Sequence, residues 1–287
     1  MRQTGILRAE AHAKINWCLD VTGRTDNGYH LLDMLMQRVA LYDTLFAVPS
    51  DEIRLDVIGQ AVSGAPDDNL VLRAARALSA YAPGKGARIT LVKRIPQGAG
   101  MGGGSSDAAA ALRLLRRLWN VRIDDRDLAE IALKLGADVP FFLKGVPARV
   151  RGIGERLDPV PLPAGIPLVL VKLTEGLNTG KVFSLSDTLP VEPVDVDALL
   201  ACLSREDWRG ASACTGNALY PAAVRLQPAL ETAKRALEAS GAQYVLMTGS
   251  GAVVYGVYAS NAEAFRAVRT LKRGFPGAFI ARTETVS

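Results

Sequence analysis

The sequence predicts an α+β fold in two domains, on three observations. Strand-like and helix-like segments are interleaved without the strict alternation of a doubly wound sheet. A glycine-rich run over residues 97–104 lies between a strand pattern and a helix pattern. Prolines cluster at Pro159, Pro161, Pro163 and Pro167 and mark a break past mid-chain. Placing the boundary there gives domains 1–163 and 164–287.

Each element follows from periodicity and punctuation. Residues 6–17 alternate as a strand, 23–28 form a turn, and 33–45 return to an apolar strand pattern. Residues 53–58 alternate again. Asp67-Asp68-Asn69 supplies capping chemistry for a helix over 70–81. Residues 87–92 alternate and lead into the glycine run. Ser105-Ser106-Asp107 opens an Ala/Leu-rich helix through Leu118, and Asp124 or Asp125 opens another through Leu135. Gly136-Ala137-Asp138-Val139-Pro140 ends that helix. Short strands at 148–151 and 155–157 flank a glycine turn. In the second half, 168–172 reads as a buried strand, and helical patterns fall at 196–203, 222–226 and 228–239. Strands at 244–247 and 253–257 flank Thr248-Gly249-Ser250-Gly251. A helix over 261–271 and a strand over 277–282 close the chain.

Composition narrows the function classes. With 49% hydrophobic residues, the 287-residue chain can build real cores. The net charge of +5 is dispersed, and only 6% of residues are aromatic, which disfavours a stacking platform for nucleic acid. A small anionic substrate fits better. Cys18, Cys202 and Cys214 lack metal-ligand spacing, and two histidines exclude a His-rich metal site. Residues 1–10 carry no apolar run, so no secretory leader is expected. Apolar stretches such as 166–171 are too short to cross a bilayer. The expected setting is the cytoplasm (a bacterial cytosol), with no membrane or nucleic-acid partner, as a monomer or weak homodimer.

Three segments carry chemistry. The first is Ala13-Lys14-Ile15-Asn16, with Gly28-Tyr29-His30 downstream. Strand alternation puts Lys14 and Asn16 on one face, and a lysine in an apolar strand is costly unless paired or functional. The second is the glycine run. Five glycines in residues 98–104 feed a helix start, so several backbone N–H groups and the helix dipole converge on one spot suited to phosphate. No Gly-Lys-Ser/Thr ends it, so it is not a Walker loop. The third is Thr248-Gly249-Ser250-Gly251. Asp138, in a turn before two phenylalanines, reads alone as a helix cap or turn former. Beside Lys14 it becomes a candidate general base.

In order, Lys-x-Asn, Pro-x-Gly-x-Gly-x-Gly-Gly-Gly-Ser-Ser-Asp, Gly-Ala-Asp-Val-Pro and Thr-Gly-Ser-Gly resemble the GHMP kinase superfamily. Asp26-Asn27-Gly28-Tyr29-His30 and Leu135 to Phe142 resemble its branch acting on 4-diphosphocytidyl-2-C-methyl-D-erythritol. The resemblance implies an N-terminal ATP-binding domain, a C-terminal α/β sandwich domain and an active site in the cleft between them. It implies transfer of the γ-phosphoryl of ATP, usually with Mg²⁺, to the substrate's 2-hydroxyl. Lys14 and Asp138 match the catalytic pair, Asp138 also touching substrate. Pro96, Gln97, Gly98, Ala99, Gly100, Met101, Gly102, Gly103, Gly104, Ser105 and Ser106 match the phosphate loop, with Asn69 and Lys93 near the nucleotide. Asn16, Tyr29, His30, Thr179 and Phe183 match substrate contacts, Tyr29 and His30 at the cytosine. No metal ligand is implied beyond Ser105 or Ser106. Asn217-Ala218-Leu219-Tyr220 and residues 172–178 depart from the pattern. A homoserine- or mevalonate-type member, or a non-catalytic nucleotide-binding relative, is the alternative.

Overall fold

A computed structural model describes residues 5–60, 65–190 and 192–287. Residues 1–4, within the segment read as carrying no leader, lie outside the described residues. The first half of the chain runs β1 (Leu7–Arg24), β2 (His30–Ser50), β3 (Ile53–Gly59), a 3₁₀ turn (Pro66–Asp68), α1 (Leu70–Ser79), β4 (Gly86–Lys93), α2 (Gly103–Leu118), α3 (Asp125–Leu135) and α4 (Val139–Lys144). The second runs β5 (Ala148–Gly152), β6 (Arg156–Pro159), β7 (Pro167–Lys172), α5 (Thr179–Ser186), α6 (Val196–Ser204), α7 (Trp208–Cys214), α8 (Tyr220–Leu226), α9 (Ala229–Ala239), β8 (Tyr244–Met247), β9 (Val254–Val257), α10 (Asn261–Gly274) and β10 (Phe279–Glu284).

The chain divides into two compact units. The first gathers Met1–Ala13, Leu41–Gln97 and Gly102–Gly145; the second gathers Lys14–Ala40, Gly98–Met101 and Val146–Ser287. In the first, β3 pairs parallel with β4, and the C-terminal half of β2 pairs antiparallel with β4, from Thr44 opposite Val92 to Ser50 opposite Gly86. α1 turns Val71, Leu72, Ala74, Ala75 and Leu78 inward and packs on α2. α2 is sealed by Ala108 to Ala111, small residues that let neighbouring helices approach closely, and by Leu112. Asn69 caps α1 by accepting the Val71 N–H at 2.9 Å, and Asp124 caps α3 by accepting that of Asp127 at 2.7 Å.

In the second unit, the N-terminal half of β2 pairs antiparallel with β5, and β5 with β6. A separate four-stranded antiparallel sheet has the order β10-β7-β9-β8. β7 is central, and Leu168 to Val171 are fully buried, which is why that segment reads as an unbroken apolar run. α9 and α10 pack on this sheet. Trp17, Trp208, Tyr244 and Tyr255 form an aromatic cluster, with Trp17 and Tyr244 edge to face at 5.6 Å.

Three helices, α4, α5 and α7, were not expected from periodicity. α5 and α7 are short, contain Gly180 and Gly210, and owe their starts to Asn178 and Asp207, which accept the Lys181 and Gly210 N–H groups. The turn after α3 continues into α4, where Pro140 sits in the first turn and removes only a donor that no helical carbonyl would accept.

Candidate active site

In the second unit, the segment Gly98–Met101 is held by backbone bonds. Ala252 and Val253 donate to the Gly98 and Ala99 carbonyls at 3.1 and 3.2 Å, and Lys14 donates to the Met101 carbonyl at 3.1 Å. Two of its positions demand glycine. Gly100 has φ +70°, and a Cβ there would collide with the Thr248 carbonyl. A Cβ on Gly98 would stand 2.7 Å from the Gly176 Cα.

Thr248 links that segment to Asn16 and Lys14. It is fully buried, and its hydroxyl accepts the Asn16 N–H at 3.1 Å. The same oxygen lies 3.2 Å from the Gly100 carbonyl and 3.3 Å from Asn16 Oδ1. Asn16 Oδ1 accepts the Lys14 ammonium at 2.5 Å and the Gly249 N–H at 2.9 Å. Lys14 and Asn16 therefore do share one face, and both are buried. Asn217 supports the turn from below, donating from Nδ2 to the Met247 and Gly249 carbonyls at 2.8 and 2.9 Å. Thr179 bonds Ser250 hydroxyl to hydroxyl at 2.8 Å.

A second group in the same unit surrounds His30. Its ring lies 4.6 Å from the Phe183 ring, and its Nε2 is 2.8 Å from Asp187 Oδ1. Arg24 pairs with the other Asp187 oxygen. Although burial pulls the other way, His30 and Arg24 hold the Asp187 carboxyl below its usual range. Tyr29, on the turn just before His30, is 61% exposed.

In the first unit, Gly102 takes φ +66° and precedes the first turn of α2. Only the Ser106 N–H closes back, onto the Gly102 carbonyl at 2.9 Å. The N–H groups of Gly103, Gly104 and Ser105 precede any intrahelical acceptor, donors of the kind that suit an anion. Asp138 sits at the N-cap position of α4 yet makes no capping bond. Its Oδ2 lies 3.5 Å from where a Gly102 Cβ would stand.

Lys93 and Asn69 flank this region. Burial works against the Lys93 charge, but Asp107 and Asp43 outweigh it and raise its pKa. The ammonium bonds Asp107 Oδ2 at 2.7 Å and also Asp43. Asp43 Oδ1 accepts the Arg94 and Ile95 N–H groups as well. Burial pushes the Asp107 carboxyl up to about 8, with Lys93 opposing and Asp43 adding to the rise. Among the described residues, Asp107 Oδ1 has no hydrogen-bond partner.

Sequence reasoning singled out the Thr248 turn without a role for it, and it missed Asp43, Asp187, Arg24, the pairing of Asp107 with Lys93 and the place of Asn217. Among the described residues, no group of three or more His, Cys, Asp or Glu side chains could hold a metal ion, and no helix is long and apolar enough to cross a membrane.

Comparison with known proteins adds a consistent picture. The family model "GHMP kinases N terminal domain" matches residues 69–146, and "GHMP kinases C terminal" matches 197–277. The chain is 41% identical to the 4-diphosphocytidyl-2-C-methyl-D-erythritol kinase of Paramagnetospirillum magneticum, over 97% of this chain and 98% of that one. It is 40% identical to the protein of the same name from Ruegeria pomeroyi, over 94% and 96%. A crystal structure of 4-(cytidine 5'-diphospho)-2C-methyl-D-erythritol kinase superposes with a TM-score of 0.82 at 36% identity, covering 98% of this chain and all of that one. The homoserine kinase of Cytophaga hutchinsonii shares the fold, at a TM-score of 0.75 and 19% identity, over 100% and 96% of the two chains.

Proposed function

The chain belongs to the 4-diphosphocytidyl-2-C-methyl-D-erythritol kinases of the GHMP kinase superfamily, and on that premise we propose which residues carry its reaction. The reaction is transfer of the ATP γ-phosphoryl group to the 2-hydroxyl of 4-diphosphocytidyl-2-C-methyl-D-erythritol, in the non-mevalonate route to isoprenoid precursors. Phosphoryl transfer asks a protein mainly for positioning and charge neutralisation. In this reading the phosphates lie on residues 96–106, over the start of α2. Asp138 accepts the hydroxyl proton as the new O–P bond forms, and Lys14 balances the negative charge around the reacting oxygen.

One observation carries the reading. Lys14 and Asp138 are each tied, within their own units, to consecutive residues of the glycine segment. The Lys14 backbone N–H donates to the Met101 carbonyl, its ammonium bonds Asn16, and the Asp138 carboxylate lies beside Gly102. Asp138 is also free of the capping bond that would explain an aspartate there.

The remaining assignments belong to the same proposal. Tyr29, His30 and Phe183 hold the cytosine, with Asn16 and Thr179 toward the rest of the substrate. Asn69 and Lys93 line the nucleotide side, where their side chains hold β4 and the starts of α1 and α2 in place. Magnesium would enter bound to ATP. The described residues offer it the Ser105 hydroxyl at the loop's end rather than an acidic cluster, so its chemistry is to neutralise phosphate charge. The boundary between residues 163 and 164, a monomer or weak homodimer, and a cytoplasmic setting complete it.

A coupled ADP-release assay tests the substrate directly. The cytidyl substrate should support turnover, and homoserine and mevalonate should not. Turnover with either of those and none with the cytidyl compound would overturn the reading.

A further inference from the structure

We propose that Cys202 and Cys214 form an oxidation site, at which peroxide joins the two thiols in a disulfide and slows turnover through the segment that follows α7. The disulfide itself is independent of the catalytic assignments. Its effect on turnover rests on the reading that Lys14 acts at the reaction centre.

Geometry brings the thiols together. Cys202 lies in the last turn of α6, Cys214 ends α7, and the two helices pack on each other. The connection between them is tight: the Arg205 and Asp207 N–H groups both donate to the Cys202 carbonyl, at 3.1 and 3.0 Å. Cys202 Sγ reaches α7 at Gly210, where a Cβ would stand only 2.8 Å from it. Cys214 is four residues beyond Gly210 and so on the same face of α7. Helical side chains lean toward the helix N-terminus, which carries the Cys214 thiol back toward the point that Cys202 Sγ occupies. The Cys202 thiol is also, after burial, a cause of the raised Cys214 pKa, as a direct neighbour would be.

The three cysteines differ in reactivity. Cys18 is fully buried on β1, and burial pushes its thiol up to about 12, so it stays protonated and inert. Cys202 is buried, whereas Cys214 is partly exposed and meets peroxide first. The Cys214 thiolate attacks one peroxide oxygen and becomes a sulfenic acid; the hydroxide released takes up the thiol's proton as water. Cys202 sulfur then attacks the sulfenic sulfur, the S–S bond forms, and the sulfenic oxygen leaves as water with the Cys202 proton. Two thiols are oxidised, and one peroxide is reduced to two waters. Burial, Cys202, Asp195 and Asp207 all raise the Cys214 pKa, so thiolate is scarce at neutral pH and the reaction quickens as pH rises.

The segment after α7 gives the bond a consequence. Thr215 donates to the Trp17 carbonyl at 2.7 Å, Leu19 donates to the Gly216 carbonyl at 3.0 Å, and Asn217 holds the Met247 and Gly249 carbonyls. These residues join β1 to the Thr248 turn, which in turn holds Asn16 and, through it, Lys14. A disulfide brings its sulfurs to about 2.05 Å, closer than two thiols in contact. The end of α7 must therefore move toward α6, and the segment after it shifts.

The test treats the full chain with hydrogen peroxide, then counts thiols by alkylation after unfolding and maps tryptic peptides. Arg205 and Arg209 lie between the two cysteines, so a disulfide leaves two tryptic peptides joined. Free thiols should fall from three to one, with Cys18 the one that remains. In the same samples kcat should fall about threefold to tenfold, and dithiothreitol should restore both thiols and rate. Cys214→Ala should keep its kcat under the same peroxide, which separates the disulfide from damage elsewhere. Turnover of the untreated protein with the cytidyl substrate is the baseline, so a failure of the kinase reading shows before peroxide is added. Three thiols after treatment, or a joined peptide that contains Cys18, overturns the site. A Cys202–Cys214 disulfide that leaves kcat unchanged, or an equal loss of rate in Cys214→Ala, overturns the link to turnover. Should Cys214→Ala not fold, the wild-type thiol count, peptide map and recovery with dithiothreitol still decide.

Discussion

Replacing Thr248 by valine keeps the side chain's shape and removes one fully buried hydroxyl. That hydroxyl accepts the Asn16 N–H at 3.1 Å and can donate to the Gly100 carbonyl at 3.2 Å. A valine leaves a buried N–H without its acceptor, at a cost of about 1–3 kcal/mol. Melting should fall by a few degrees for a chain of this length. The functional cost should be larger. Asn16 Oδ1 holds the Lys14 ammonium at 2.5 Å, and Thr248 is what fixes the Asn16 backbone. A shift of about 1 Å in a reacting group can cost on the order of 100-fold, so kcat should drop about 10- to 100-fold with KM for ATP within about threefold. Thr248→Ser keeps the oxygen and should recover most of the rate. Steady-state kinetics with thermal melting of both variants is the assay. A valine variant with wild-type kcat and melting temperature would show that the chain Thr248–Asn16–Lys14 carries no weight.

Three further outcomes follow from other contacts. Gly100→Ala puts a Cβ against the Thr248 carbonyl at φ +70°, so kcat/KM for ATP should fall about tenfold or more; an unaffected value would mean the loop's shape is unimportant. Asn217→Ala strips two carbonyls and the Leu219 N–H of their partner, and urea unfolding should register a loss of about 1–3 kcal/mol. Burial places the folded Asp107 pKa at about 8, above its unfolded value of 3.8, so the folded chain binds the extra proton. This group's contribution therefore favours folding below 3.8 and is lost as pH rises toward 8. Urea midpoints of wild type and Asp107→Asn, compared across that window, should diverge with the wild type losing ground as pH rises; parallel curves would contradict the assignment.

What the sequence disclosed was local in its causes. The glycine run had to break helix and strand geometry, and Gly98, Gly100 and Gly102 all take positive φ. The caps at Asn69 and Asp124 use side chains next to the backbone they satisfy, so adjacency alone revealed them. Lys14 and Asn16 fall on one face because a strand has period two. What stayed hidden depends on contacts between distant residues. Asn16 meets Thr248 across 232 positions, and His30 meets Asp187 across 157. Neither pairing leaves a trace in spacing. The resemblance points Lys93 to the nucleotide, and nothing nearby in sequence announces Asp43, 50 residues away, as its partner. α5 and α7 escaped notice because each is about two turns long, interrupted by a glycine and started by a side-chain cap rather than by an apolar stripe.

Everything rests on Asp138 as the base for the hydroxyl. Rapid-quench measurement of γ-³²P transfer from ATP to the cytidyl substrate, in wild type and Asp138→Asn, addresses it most directly. The substitution keeps the side chain's shape and removes its basicity. Transfer should slow about 100-fold or more while the ATP dissociation constant stays within about threefold. Transfer at the wild-type rate would contradict the account.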